Sequence, residues 1–287
     1  MNIITGATGN IGNALVKNLI KNGESVIAIT RNPGKAVQMF GNTVEIVKVD
    51  VMDTVSLHEV FKKGSSIFIL NPPADPAGNT DVEERKTAKS IITALKQLEE
   101  HKRVVVESTL GNQQGDHIGD LGVLYELEEG IKKLPHDYRI IRPAYYMSNW
   151  RMALAEAKKS NTITSFYPAD FKFPMVAPDD IAILAAKLMT AEKADQINPI
   201  EGPEEYSPND VANAIAQIIS KPVELKVIPE DAWEQTYQDM GFSASAAKSY
   251  SNMTKISLSG GFERPKNPVL GKISLFEYLQ TANNLNT

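Results

Sequence analysis

The chain has 287 residues, 42% of them hydrophobic and 23% charged, enough to bury a full core in one large domain and a smaller one. Its formal net charge of −5 and pI of about 5.5, with no local run of Lys or Arg, argue against nucleic acid or an anionic lipid surface as a partner. It has no cysteine, which excludes disulfides, thiolate nucleophiles and Cys-based metal sites, and its four histidines, His58, His101, His117 and His136, lack metal-ligand spacing, so no metal is expected.

The first element is a short apolar strand, NIIT, beginning at Asn2, which leaves no room for a leader peptide; no apolar run approaches spanning length, and a soluble, cytoplasmic protein is expected. The chain then turns through three glycines into an amphipathic helix whose apolar face is Ile11, Ala14, Leu15 and Leu19 and whose end is marked by Gly23. Strand, glycine turn and helix in this order form a phosphate cradle. Gly6 permits the tight turn, Gly9 lets the backbone approach a pyrophosphate, Gly12 lets the helix pack on the strand, and the helix N-terminus offers unpaired N–H groups. Thr8, Asn10 and Ile11 are the expected donors.

Strand two, SVIAIT, ends where such a fold meets the adenosine ribose. A site for NAD(H) needs a carboxylate here, whereas this chain places Arg31 and, a turn later, Lys35, which suit a 2′-phosphate; NADP(H) is therefore expected over NAD(H). Strand three, TVEIVKVDV, precedes Asp53, which reads as the cap of the helix TVSLHEVF. Strand four, SIFIL, runs into Asn71, Pro72 and Pro73, a stiff loop at the carboxyl edge of the sheet and a wall for the nicotinamide ribose. A helix carrying Ala88, Ile91, Ile92 and Leu95, the strand RVVVEST, a helix carrying Leu124, Leu127, Ile131 and Leu134, and the strand YRIIRP continue the alternation. Such alternation means a parallel sheet covered on both faces, wound in both directions from its first strand.

After strand six, RPAYYMSNW brings Pro143, Tyr145, Tyr146, Asn149 and Trp150 to the same edge, an aromatic wall and an amide suited to a flat acceptor. The later chain is broken by prolines into shorter elements. Ser207, Pro208 and Asp210 open a helix with the stripe Val211, Ile215, Ile218 and Ile219, and Trp233, Tyr237 and Met240 define one face of another. The stretch LSGGFERPKNPVLG reads as a surface loop. The domain expectation is residues 1–147 for the nucleotide-binding part and 148–287 for a smaller substrate or lid part, with 177–200 returning to the first.

The glycine spacing in TGATGNIG, together with RNPGKA, EEGIKKLPHDYRIIRPAYYMSNW, VAPDDIA and EGPEEYSPNDVANAIAQ, resembles the NmrA-like group of atypical short-chain dehydrogenases/reductases over nearly the whole chain. That group includes NAD(P)H:quinone oxidoreductases and NADP(H)-sensing regulators. The resemblance implies an α/β fold with a doubly wound parallel sheet of the Rossmann type and a smaller C-terminal part. It implies that Asp50 accepts from the adenine amino group and that the Val51 N–H meets the ring. It places Ser108 and Thr109 where related enzymes keep a substrate-orienting hydroxyl, and it gives the acid of Asp179-Asp180 a capping role.

Active short-chain dehydrogenases carry a Tyr and, four residues on, a Lys after strand five. In extended members an acid often follows four residues beyond the Lys, and Glu128 fits that place. Counting back puts Leu124 at the Lys position and Asp120 at the Tyr position, while the neighbouring Tyr125 has Glu129 where its Lys would stand. Without the proton donor, ketone reduction should lose about 100- to 10,000-fold. A quinone is less demanding, because the product is a stabilised phenolate that takes its proton from water. The sequence therefore points to an NADPH-dependent reductase of a quinone or similar conjugated acceptor. The alternative is a non-catalytic NADP(H) sensor with a protein partner, and nucleotide-sugar epimerase chemistry is third. A monomer or homodimer is expected.

Overall fold

The computed structural model describes residues 1–284. Its first part alternates strand and helix: β1 (Asn2–Ile4), α1 (Asn10–Lys21), β2 (Val26–Thr30), α2 (Pro33–Phe40), β3 (Glu45–Lys48), α3 (Thr54–Phe61), β4 (Ser66–Ile69), α4 (Thr80–Lys96), β5 (Arg103–Glu107), α5 (Asp120–Lys132) and β6 (Asp137–Pro143). The later part is built of shorter pieces. These are β7 (Tyr145–Tyr146), a 3-10 turn (Met147–Trp150), α6 (Arg151–Ser160), β8 (Thr162–Ser165), β9 (Phe173–Val176), α7 (Pro178–Thr190), β10 (Ile197–Glu201), β11 (Glu205–Tyr206), α8 (Pro208–Ile219), β12 (Glu224–Val227), α9 (Trp233–Asp239), α10 (Ala244–Leu258), β13 (Val269–Leu270) and α11 (Leu275–Asn284).

Strands β1, β2 and β4 are buried at every residue, as strands covered on both faces must be. They lie at the heart of an eight-stranded parallel sheet of order β13-β10-β6-β5-β4-β1-β2-β3. On one face Ile4, Phe68, Val105 and Ile141 meet Leu15 and Leu19 of α1 and Ile181, Ala185 and Leu188 of α7. On the other, Ile3, Ile67, Val104 and Ile140 meet Leu57 of α3, Ile91 and Leu95 of α4, and Leu127 and Ile131 of α5. The strand order reverses between β1 and β4, and the crevice outside the carboxyl ends of those strands is where open α/β sheets take ligands.

A third apolar cluster joins Met147 and Trp150 to Leu154 of α6, Ile163 of β8, Met175 of β9, Val211 and Ile215 of α8 and Leu279 of α11. Helix α8 starts on a capping box in which Ser207 and Asp210 serve each other, and Asp53 caps α3 by accepting from the Ser56 N–H at 3.0 Å.

Three local readings need correction. The 13-residue α7 begins without a side-chain cap; Asp180 instead accepts from the backbone N–H groups of Lys272 and Ile273, both at 3.0 Å, and so ties the late loop to the sheet. That loop contains β13, which pairs with β10 at the sheet edge. Met240 is exposed beyond the end of α9, while Trp233 and Tyr237 are buried. No helix among the described residues is long and apolar enough to cross a membrane.

Candidate functional site

The turn after β1 is held from two sides. Thr5 donates its hydroxyl to the Phe68 carbonyl at 3.1 Å and accepts from the Leu70 N–H at 2.8 Å, which locks the end of β1 to the end of β4. Gly6 follows with φ of +62°, a left-handed conformation that suits glycine. A Cβ on Gly12 would sit 2.2 Å from the Gly6 carbonyl oxygen, so the first turn of α1 can lie against the loop only without a side chain there. Gly9 is the N-cap residue of α1, which has no side-chain cap and no acid in its first turn. The leading N–H groups of α1 therefore have no acceptor from a capping side chain, and the positive end of the helix faces the crevice.

Thr8 lies 3.3 Å from Thr30 between their hydroxyl oxygens, and Thr30 also accepts from the Asn32 N–H at 3.0 Å, which draws the end of β2 against the glycine turn. Arg31 and Lys35 are both exposed and, among the described residues, neither has an ion-pair partner. Asp50 is exposed beyond β3 and accepts from the Met52 N–H at 2.9 Å, next to the buried Val51. Asn71 and Pro72 are half-buried; the Asn71 amide donates to the Glu84 carbonyl at 3.2 Å, and its Oδ1 is buried without a partner. The residues assigned to phosphate, ribose and adenine follow the carboxyl ends of β1 to β4, which are adjacent in the sheet in the order β4-β1-β2-β3.

The residues assigned to the acceptor are dispersed. Ser108 is wholly buried and donates to Glu128 at 2.6 Å, so its hydroxyl serves the fold and presents no face to a substrate. Tyr145 and Tyr146, neighbours on a strand, point to opposite sides. Tyr146 packs on the sheet, whereas Tyr145 turns to the third cluster, its ring centroid 5.2 Å from Phe173 and 5.8 Å from Tyr167. Burial, and next the Tyr167 hydroxyl, raise the Tyr145 pKa, while the nearby exposed Asn149 works in the opposite direction. Only Tyr145 and Asn149 of the four stay together.

Two groups of buried acids flank the end of β5. Glu128 is held by Arg142 through two hydrogen bonds, at 2.9 and 2.6 Å, by Ser108 and by Lys132 at 3.1 Å. Burial by itself would raise its pKa, but these partners prevail and hold it below the ordinary value. The other group, Asp81 and Glu84 on α4, Glu107 ending β5 and Asp120 opening α5, has little cationic support. Arg85 stands 3.6 Å from Asp81, and no hydrogen bond reaches either Asp81 oxygen or Glu107 Oε1. Burial, and then the charge on Asp120, push Glu84 up to about 8. Glu84 and Asp120 act on one another, and burial raises Asp120 and Glu107 as well. Asp120 nonetheless keeps an exposed face.

Helix α10 packs beside this cluster, with Tyr250 facing its acids. The Ser243 N–H and hydroxyl donate to the carbonyls of Pro76 and Gly78 at 2.8 and 2.6 Å, and Asn252 donates to the His117 carbonyl at 2.9 Å. Met253 packs over Gly119 and the Phe262 ring over Gly111. The acid cluster and this cover escaped the sequence reading. One signal was available: Glu107 closes the apolar run VVV, where a carboxylate must be buried. Among the described residues no group of His, Asp and Glu has the geometry to hold a metal ion.

The model of the NmrA-like family matches residues 3–267, and the chain belongs to that family. An NAD(P)H azoreductase of Xenophilus azovorans is 22% identical over 250 residues, 86% of this chain and 84% of that one. Among solved structures, an NADPH-dependent quinone oxidoreductase of Escherichia coli complexed with NADPH superposes with a TM-score of 0.78 at 18% identity over 100% of both chains. A nucleoside-diphosphate-sugar epimerase of Staphylococcus aureus superposes with a TM-score of 0.79 at 16% identity, covering 97% of this chain and 99% of that one. At these identities the structural likeness establishes the fold.

Proposed function

We propose that this chain binds NADP(H) at the carboxyl edge of its sheet and reduces a quinone or similar electron-poor conjugated acceptor, residues 1–147 and 177–200 serving the nucleotide and the remainder the acceptor. The observation that carries the nucleotide half is the cradle itself: a helix with an uncapped N-terminus laid so closely on the glycine turn that Gly12 has no space for a Cβ. Gly6, Gly9, Asn10, Ile11 and Gly12 with Thr8 receive the diphosphate, Arg31 and Lys35 the 2′-phosphate, Asp50 and Val51 the adenine, and Asn71 and Pro72 the nicotinamide ribose. The azoreductase and quinone oxidoreductase among the proteins it resembles support an acceptor of that class.

The bound nicotinamide would supply a hydride. The chain's own contribution is positioning and exclusion of water, with Tyr145, beside Asn149, and α10 closing the acceptor side. Burial and neighbouring acid charge raise both members of the Glu84–Asp120 pair and favour a shared proton there. A second reading, a non-catalytic NADP(H) sensor, is favoured by Asp120 and Leu124 standing where the family's Tyr and Lys would be. One assay separates the two. NADPH oxidation over a panel of quinones, azo dyes and nitro compounds should show turnover with at least one, abolished by Gly9→Val, and Arg31→Asp should cut the preference for NADPH over NADH by about tenfold or more. Tight binding of both cofactor forms with no turnover selects the sensor; no binding of either nucleotide defeats both.

A further inference from the structure

Of the seven arginines in the chain, five pair with carboxylates: Arg85, Arg103, Arg139, Arg142 and Arg264. The two without an ion-pair partner among the described residues are Arg31 and Arg151. Arg31 has been assigned to a phosphate already. Arg151 lies far along the chain, as the first residue of α6, yet its guanidinium donates to Asn10 Oδ1 at 3.2 Å, at the first residue of α1. Its charge also acts on the hydroxyl of Tyr278 on α11, a buried residue. Asp179, at the start of α7, is the acid that acts on Tyr278, and it is outside ion-pair distance of Arg151.

This placement sets a cation beside the positive end of a helix that carries neither a side-chain cap nor an acid in its first turn. Two positive groups separated by one neutral amide repel, and a half-buried guanidinium is screened less than an exposed one. An anion lodged between them turns that repulsion into attraction for both. We propose that Arg151 grips the diphosphate of the bound dinucleotide from the side opposite the glycine turn, so that the cofactor is held between α1 and the later part of the chain. The inference rests on the reading of the cradle as a dinucleotide site and adds a residue that the glycine pattern cannot reveal. A guanidinium suits the task because its fork can span two phosphate oxygens while one N–H stays on Asn10.

The test uses nucleotides that separate the two basic residues. ADP-ribose carries the linking diphosphate without a 2′-phosphate, and adenosine 2′-monophosphate carries the 2′-phosphate with no phosphate at the diphosphate position. Binding measured by calorimetry should weaken about 10- to 100-fold for ADP-ribose, NADH and NADPH in Arg151→Met and stay within about twofold for adenosine 2′-monophosphate. Arg31→Ala should weaken adenosine 2′-monophosphate and NADPH and leave ADP-ribose and NADH within about twofold, and Arg151→Lys should recover part of the loss. Wild-type affinity for ADP-ribose in Arg151→Met, in a protein that still binds NADPH, overturns the clamp and leaves the cofactor site standing. Failure of the unaltered protein to bind any of these nucleotides overturns both. A measurement without substitution guards against a variant that misfolds: ADP-ribose should slow amide exchange in the first turn of α6 as well as in α1, and protection confined to α1 refutes the clamp.

Discussion

Glu128 on α5 and Glu84 on α4 are both buried acids near the end of β5, yet their surroundings drive them in opposite directions. Glu128 has a guanidinium fork, an ammonium and a hydroxyl, and stays ionised. Glu84 has Asp81 on its own helix, Glu107 and Asp120 on adjacent elements and one backbone N–H, that of Ala74 at 2.9 Å, and its pKa is pushed up to about 8. Tyr250 of α10 faces the same acids and is itself pushed upward, first by burial and then by Asp120 and Glu84. The difference teaches where the chain places its cations: at Glu128 they bind α5 to β6, and around Glu84 they are withheld.

The strongest way to break the contrast is Arg142→Leu, which leaves Glu128 buried with only Lys132 and Ser108. The variant should lose about 3 kcal/mol or more of unfolding free energy at pH 7, read by urea denaturation, and less at pH 4, where Glu128 can protonate. A loss below about 1 kcal/mol would mean that the pair contributes little to the fold. The next effect has the opposite sign. Glu84 is raised in the folded state, so its contribution to stability is present at low pH and is lost as pH climbs from its ordinary value through about 8. Glu84→Gln should therefore match the wild type near pH 5 and exceed it by on the order of 1–3 kcal/mol at pH 9. A variant less stable than the wild type at pH 9 would refute the uncompensated burial of this acid. The smallest effect is Ser108→Ala, which removes one hydrogen bond to an ionised partner and should cost about 1–2 kcal/mol, with turnover, where present, unchanged.

The glycine turn and the strand ends beside it were legible because each of their signals is local. Gly6, Gly9 and Gly12 fall within one turn of chain, Arg31 follows its strand directly, and the Asp53 cap declares itself three residues before Ser56. The eight-stranded sheet was legible for six strands, whose apolar runs alternate with amphipathic helices. β10 was harder, since INPIE mixes polar residues and a proline, and β13 has only two residues. The acid cluster was hidden for a different reason. Asp81, Glu84, Glu107 and Asp120 are brought together only by the sheet order, and in sequence three of them look like ordinary helix acids on a solvated face. The split of Tyr145 from Tyr146 follows from the alternation of a strand where a helical start was equally consistent with the sequence. Arg151 reaches Asn10 across 141 positions, a contact no pattern along the chain can announce.

The two-residue β13, fastened by Asp180 through Lys272 and Ile273, runs alongside Ile200 and Glu201 of β10. Without it the outermost strand would present a bare row of amides and carbonyls, a template onto which another molecule could add a strand. Val269→Pro with Leu270→Pro, which spares α11, should therefore promote self-association, as read by size-exclusion chromatography: these two residues guard against aggregation, a task separate from any ligand.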